Sequence, residues 1–230
     1  GPSPYICGNV GSGTPRELQE WIEYCNHPSG STLTDLRAEH GSPEPFDVRY
    51  WGVGNENWGC GGRFSPEEYC QAYRRFSTFL GKGFGGTRPY LIACGPPGND
   101  LDWTRRFLES MSRANPAPLH GFAPHQYFRG ISPDLGFGSD EWYRTLHATG
   151  ELETLLVQQR GVLDSYEFSR DTDIILDEWG FWATNAGDGD RTGLWQQSTL
   201  RDAVTAARSF DVFNRHSDKI AMANIAQTAN

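Results

Sequence analysis

Short, wholly apolar segments alternate with longer amphipathic ones along this chain, and that alternation restricts the fold more than any other feature. Residues 4–10 (PYICGNV), 46–53 (FDVRYWGV), 89–94 (PYLIAC), 173–179 (DIILDEW) and 219–227 (KIAMANIAQ) read as strands, and 119–128 (LHGFAPHQYF) contains another. Helical patterns fill the gaps. Thr14-Pro15-Arg16-Glu17 supplies an N-cap, a proline at the first helical position and a capping-box glutamate. Leu18, Trp21, Ile22 and Cys25 then share one face, and the helix stops near Asn26, before a polar loop. Ser65-Pro66-Glu67-Glu68 repeats the capping chemistry, and Tyr69, Tyr73, Phe76 and Leu80 are spaced for one buried stripe that ends about Gly81. Further helices are predicted over 101–111, from about 140 to 166 and over 199–215, with a loop over 180–193. Apolar strands alternating with helices are the pattern of a parallel sheet covered on both faces. Two architectures satisfy it: an open doubly wound sheet or a (β/α)8 barrel.

Composition removes several classes of function. A chain of 230 residues suits one domain with a sizeable core. Its 20 basic and 29 acidic residues leave a net charge of -9, which argues against nucleic acid or an anionic membrane as the main partner. No apolar run approaches the ~18 residues of a membrane span, and no basic-then-apolar leader opens the chain. Cys7, Cys25, Cys60, Cys70 and Cys94 lack CxxC pairing, so neither a disulfide framework nor a zinc site is expected. Buried thiols in a reducing, cytoplasmic compartment are the simplest reading. Gly11-Ser12-Gly13 follows a strand but lacks the third glycine of a dinucleotide fingerprint, and reads as a turn. Asp188-Gly189-Asp190 lacks the ligand spacing of a calcium loop and reads as a loop flanking a cleft. His120 and His125 make a weak metal pair, and His120 reads as a satisfied histidine of the sheet. No metal or organic cofactor is expected.

Polar residues gather where strands end. Asn55-Glu56 closes the second strand, with Trp58 just beyond. His125-Gln126-Tyr127 closes the fourth, Asp177-Glu178-Trp179 the fifth and Gln227 the sixth. In a (β/α)8 barrel, catalysis sits at the C-terminal strand ends. Two carboxylates on separate strands, in a chain with eight tryptophans, suggest glycoside hydrolysis. One carboxyl must be protonated to help the leaving group depart. The other must be ionised to attack the anomeric carbon or to activate water. Glu178 follows a run of Ile and Leu, where a carboxylate is costly unless it is paired or functional.

Tyr50-Trp51-Gly52-Val53-Gly54-Asn55-Glu56-Asn57-Trp58-Gly59 resembles the acid/base motif of retaining (β/α)8 glycosidases, in particular the α-L-arabinofuranosidases of glycoside hydrolase family 51. Asp177-Glu178-Trp179 resembles their nucleophile motif. Glu23-Tyr24-Cys25-Asn26, the turn from Asn9 to Thr14, and Ala223-Asn224-Ile225-Ala226-Gln227 are also similar to that family. The resemblance runs over nearly the whole chain. It implies Glu56 as the general acid/base and Glu178 as the nucleophile that forms a covalent arabinosyl-enzyme. It implies Asn55 as a hydrogen-bonding partner of the sugar 2-hydroxyl, and His125 and Tyr127 as cleft residues beside the nucleophile, the tyrosine hydroxyl bonding its carboxylate. Gln227 would hold the sugar and Trp182 would form an aromatic wall. Glu56 should keep its proton near neutral pH, and donors such as Tyr127 and a cationic His125 should keep Glu178 ionised. The implied partner is an arabinose-containing oligo- or polysaccharide.

The strand count departs from that pattern. Six βα units are present where a closed barrel has eight. In family terms residues 1–230 would be strands 3–8 of a partial catalytic barrel, without the first two units or the family's C-terminal β-sandwich. Two open sheet edges would then invite pairing between chains, as in a homo-oligomer, and an isolated chain is expected to be unstable or inactive. The leading reading is removal of terminal α-L-arabinofuranosyl residues from arabinoxylan, arabinan or their oligosaccharides. The alternatives are another retaining glycosidase of the same clan, such as an endoglucanase or β-xylosidase, and a carbohydrate-binding fragment without catalysis.

Overall fold

The structure, a computed structural model, describes residues 2–80, 86–113, 115–186 and 195–226. Two compact units divide the chain. Gly1–Pro96, Asp100–Ala123 and Val162–Thr172 form the first, and Pro97–Asn99, Pro124–Gly161 and Asp173–Asn230 the second. Among the described residues the strands are β1 (Tyr5–Gly8), β2 (Tyr50–Val53), β3 (Tyr90–Pro97), β4 (Gly121–Arg129), β5 (Asp173–Trp182) and β6 (Ile220–Ile225). The helices are α1 (Pro15–Asn26), α2 (Thr32–Glu39), α3 (Pro66–Leu80), α4 (Leu101–Ser112), α5 (Ser139–Ala148), α6 (Gly150–Asp164) and α7 (Leu200–Arg215). The six strands follow one another in a single sheet in the order β1-β2-β3-β4-β5-β6. The pairs β1/β2, β2/β3 and β5/β6 are parallel. A doubly wound sheet reverses its strand order at a switch point. This order never reverses, so the architecture is that of successive units of an incomplete (β/α)8 barrel. No helix among the described residues is long and apolar enough to cross a membrane.

In the first unit the Thr14 capping box forms as the sequence predicts. The stripe on α3 is buried, with Tyr69 and Tyr73 at 0% exposure. Tyr69 stacks on Phe107 at 5.6 Å between ring centroids, and Phe107 stacks on Trp103 at 5.8 Å, so α3 and α4 share one aromatic core. The Tyr69 hydroxyl donates to the Val53 carbonyl and accepts the Cys94 N–H at 2.7 Å, which ties the ends of β2 and β3 together. Burial pushes that phenol well above its usual range. Strand β2 is shorter than predicted. Asp47 has φ 53, in the left-handed region, and both backbone groups of Val48 bond the side chain of Asn26, at 2.8 and 2.7 Å. Val48, so engaged, has no ladder bonds to give.

Helix α2 lies where a polar loop was expected. Its N-cap Ser31 forms a capping box with Thr34, and it delivers Arg37 into the protein. Arg37 is fully buried and donates to the carbonyls of Tyr24, His27, Pro28, Ser42 and Pro43.

In the second unit the predicted helix from about 140 to 166 is two helices, α5 and α6, which meet at Thr149-Gly150. Glycine is a poor helix interior residue, and Thr149 turns its hydroxyl back onto the Leu146 carbonyl at 2.8 Å. Strand β5 runs on to Trp182, into the expected loop. Trp179 anchors the core, edge-on to Phe213 at 4.9 Å and to Phe210 at 5.6 Å. Arg201 is fully buried, with its guanidinium between the rings of Phe137, at 4.0 Å, and Phe181, at 4.4 Å.

Candidate active site

Each unit carries one group of the sequence-predicted residues: Asn55 and Glu56 just beyond the end of β2 in the first, and His125, Tyr127 and Glu178 within β4 and β5, which run past them to Arg129 and Trp182, in the second. In the first unit β2 passes through Gly54 into a tight turn that presents Asn55 and Glu56. The carbonyl of Glu56 accepts two amides, from Gly59 at 2.8 Å and Gly61 at 3.0 Å. Asn57, fully buried, donates its side-chain amide to the Gly61 carbonyl at 2.7 Å and its own carbonyl accepts the Phe64 N–H at 2.7 Å. This wrapping holds Glu56 at φ 44, a left-handed conformation that costs an L-residue roughly 1–2 kcal/mol. Gly54 has φ 94, and Gly61 passes so close that a Cβ would lie 1.9 Å from the Asn55 carbonyl oxygen. Asn55 is exposed and Glu56 half-buried. Backbone strain on a polar residue that the surrounding turn over-determines makes Glu56 a candidate functional position.

In the second unit β4 supplies His125 and Tyr127, and β5 supplies Asp177 and Glu178. The Tyr127 hydroxyl donates to Glu178 Oε1. His125 Nδ1 lies 3.1 Å from Glu178 Oε2, and Nε2 lies 3.1 Å from Asp177 Oδ1. The imidazole is buried, at 4% exposure, while the Glu178 side chain keeps 31%. The Tyr127 hydroxyl thus lies on one Glu178 oxygen and His125 Nδ1 faces the other.

Successive strand residues ordinarily point to opposite faces, yet Asp177 and Glu178 both reach His125. The register explains this. Leu176 pairs with Ala223 and Trp179 with Ile225, so β5 spends three residues where β6 spends two. Such a bulge re-aims a side chain at a strand end. Trp182 is buried and packs on Tyr127 at 5.8 Å between centroids. Gln227 and Asp188-Gly189-Asp190 lie outside the described residues.

Sequence reasoning missed two participants. Asp177 enters the sequence reading only as part of the Asp177-Glu178-Trp179 motif. Its signal was the doubled carboxylate at the end of an apolar run. Cys60 was read as one more buried thiol, but it is exposed, whereas Cys25, Cys70 and Cys94 are buried and Cys7 is half-buried. The Cys60 thiol donates to Glu56 Oε2 at 3.2 Å.

Sequential βα units with an Asn-Glu pair closing one strand and a donor-flanked glutamate on another follow the plan of the (β/α)8 glycosidases. Comparison with known proteins narrows the class. The family model "Alpha-L-arabinofuranosidase 1 domain" matches residues 12–114, and "Alpha-L-arabinofuranosidase C-terminal domain" matches residues 177–230. An intracellular exo-α-L-arabinofuranosidase of Bacteroides ovatus is 37% identical over the whole chain, which covers 45% of that protein. The crystal structure of a GH51 arabinofuranosidase from Xanthomonas axonopodis pv. citri superposes with a TM-score of 0.88 at 34% identity, covering 97% of this chain and 45% of that one. An arabinose complex of the Thermotoga maritima α-L-arabinofuranosidase gives a TM-score of 0.80 at 28% identity, covering 98% and 43%. The chain belongs to the α-L-arabinofuranosidases of glycoside hydrolase family 51, and spans a little under half the length of these relatives.

Proposed function

We propose that the chain carries the catalytic residues of a retaining α-L-arabinofuranosidase, which releases terminal arabinofuranosyl residues from arabinose-containing oligo- or polysaccharides. The observation that carries the reading is the setting of Glu178 on β5, with the Tyr127 hydroxyl on one carboxylate oxygen and His125 Nδ1 3.1 Å from the other. In the first step Glu56 gives its proton to the glycosidic oxygen while Glu178 attacks the anomeric carbon. The bond to the departing alcohol breaks, and an arabinosyl ester of Glu178 forms. In the second step Glu56 takes a proton from water, water attacks the same carbon, and Glu178 leaves as a carboxylate. Tyr127 and His125 serve both steps. They orient the nucleophile before attack, and stabilise the carboxylate as it departs. Asn55 and Gln227 bind the sugar, and Trp182 supports Tyr127 from behind.

Six strands against the eight of a closed barrel lead us to propose that βα units outside these residues complete the catalytic domain. A cytoplasmic location is proposed from the intracellular Bacteroides relative.

The test is hydrolysis of an aryl α-L-arabinofuranoside by the full-length protein, with Glu178→Ala and Glu56→Ala beside it. Turnover should fall by several orders of magnitude in Glu178→Ala, and azide should rescue Glu56→Ala on the activated aryl glycoside by replacing the water that no longer has a base. Turnover of an aryl β-D-xyloside in preference to the arabinofuranoside would overturn the specificity. Retained turnover in Glu178→Ala would overturn the mechanism.

A further inference from the structure

We infer that Cys60 is a positioning residue for the acid/base: its thiol engages one oxygen of Glu56, so that the transferable proton is carried on the other. The inference rests on the acid/base reading of Glu56 proposed above. Its geometric basis lies within the turn that follows β2. The two amides of Gly59 and Gly61 close on the Glu56 carbonyl, and the turn brings residue 60 back over the side chain of residue 56. The thiol then meets Oε2 at 3.2 Å. A protonated carboxyl has one hydroxyl oxygen and one carbonyl oxygen, and only the second is a good acceptor. A donor held on Oε2 makes that oxygen the carbonyl. The acidic hydrogen is left on Oε1, where it can be given to a leaving oxygen. Once the proton has gone, the same thiol hydrogen bond steadies the new carboxylate.

The strain at Glu56 fits this role. A left-handed φ at a glutamate persists only where the surroundings enforce it, and here the enforced conformation is the one that places Oε2 beside the thiol. Three of the other cysteines are buried in packed surroundings, where a small apolar side chain is all the site needs. Cys60 is exposed, so packing does not account for it.

A positioning role in proton donation has a signature that a structural role lacks. Loss of proton donation slows a poor leaving group and spares a good one, which departs unaided. The experiment measures kcat/KM, which reports only formation of the glycosyl-enzyme, for an alkyl and a 2,4-dinitrophenyl α-L-arabinofuranoside on the full-length protein. Cys60→Ala should lose about three- to tenfold on the alkyl glycoside, the scale of one neutral hydrogen bond. It should lose less than about twofold on the dinitrophenyl glycoside, and Cys60→Ser, which keeps a donor, should recover most of the loss. Equal losses on both substrates, or none on either, would overturn the inference. Glu56→Ala is measured alongside. If that variant shows no leaving-group dependence, the acid/base reading itself fails, which separates the two cases. Should Cys60→Ala not fold, methyl methanethiosulfonate on the folded wild-type protein replaces it. This reagent forms a methyl disulfide at the exposed thiol and releases methanesulfinate. The alkyl glycoside activity should fall selectively and return with dithiothreitol, while Cys60→Ser stays unaffected. An unselective loss, or no loss, counts against the inference.

Discussion

Tyr127 holds Glu178 Oε1 and His125 holds Oε2, so the two oxygens of this carboxylate are not equivalent. A hydrogen bond to an ionised group contributes about 1.5–3 kcal/mol, or roughly 10- to 100-fold in rate when it is made to developing or departing charge. Tyr127→Phe removes that donor and keeps the ring that Trp182 packs against. Its kcat/KM on an aryl arabinofuranoside should fall by about that factor, with an unchanged circular dichroism spectrum; an unchanged rate would show that the hydroxyl is dispensable. At this scale the sequence is unevenly informative. Glu178 is legible because a carboxylate closing an Ile-Leu run demands a reason, and Glu56 because Asn-Glu ends a strand. Asp177 is not, since alternation along β5 sends neighbouring side chains to opposite faces and only the bulge brings both to His125. Cys60 is not, since four residues of irregular turn carry no periodicity from which a contact could be inferred.

Arg37 explains why α2 exists. All five N–H donors of its guanidinium meet backbone carbonyls, two of them, from Tyr24 and His27, at the end of α1. Replacement by Met would leave those carbonyls buried without donors, and should cost at least about 3 kcal/mol. For a chain of this size that is roughly 6–12 °C in Tm. Arg37→Lys, with three donors on a single nitrogen, should recover only part of the loss. A Tm within about 2 °C of wild type for Arg37→Met would contradict this account of α2. The helix escaped prediction because nothing local announces it. It is eight residues long, has no apolar stripe, and is capped by a Ser-Thr pair rather than a Ser-Glu one. Helices α1 and α3 were legible for the opposite reason: each has a proline start, a glutamate in the first turn and a periodic buried face. The split of α5 from α6 was written in Gly150, which a continuous apolar rhythm masked.

Across the whole molecule, neighbouring helices are tied on their outer sides by ion pairs. Arg106 of α4 holds Glu67 of α3 at 2.8 Å, and Arg215 of α7 holds Glu153 of α6 at 2.6 Å. Arg160 of α6 holds Asp218 at 2.7 Å. Each arginine pushes its carboxylate below the ordinary range, with His216 adding to the effect at Glu153. A carboxylate whose value is depressed on folding stabilises fully above the unfolded value, about pH 4–4.5, and loses that contribution as pH falls through the folded value. The pairs are exposed, so each contribution is small and salt weakens it. Melting temperature should decline below about pH 4.5 at low ionic strength. The decline should be shallower in a Glu67→Gln, Glu153→Gln, Asp218→Asn triple variant; equal slopes would mean that other carboxylates govern acid unfolding. Sheet order and helix alternation were legible at this scale because a parallel sheet needs apolar strands with helices between them. The bulge in β5 has a consequence of another kind. The contacts described for Glu178 come from β4 and β5, and those described for Glu56 from the turn after β2. The two are therefore separate heritable modules. Residues 54–64 can accept change only where Gly54, Asn57 and Gly61 still close the turn around Glu56, and such change leaves the contacts of Glu178 with β4 untouched.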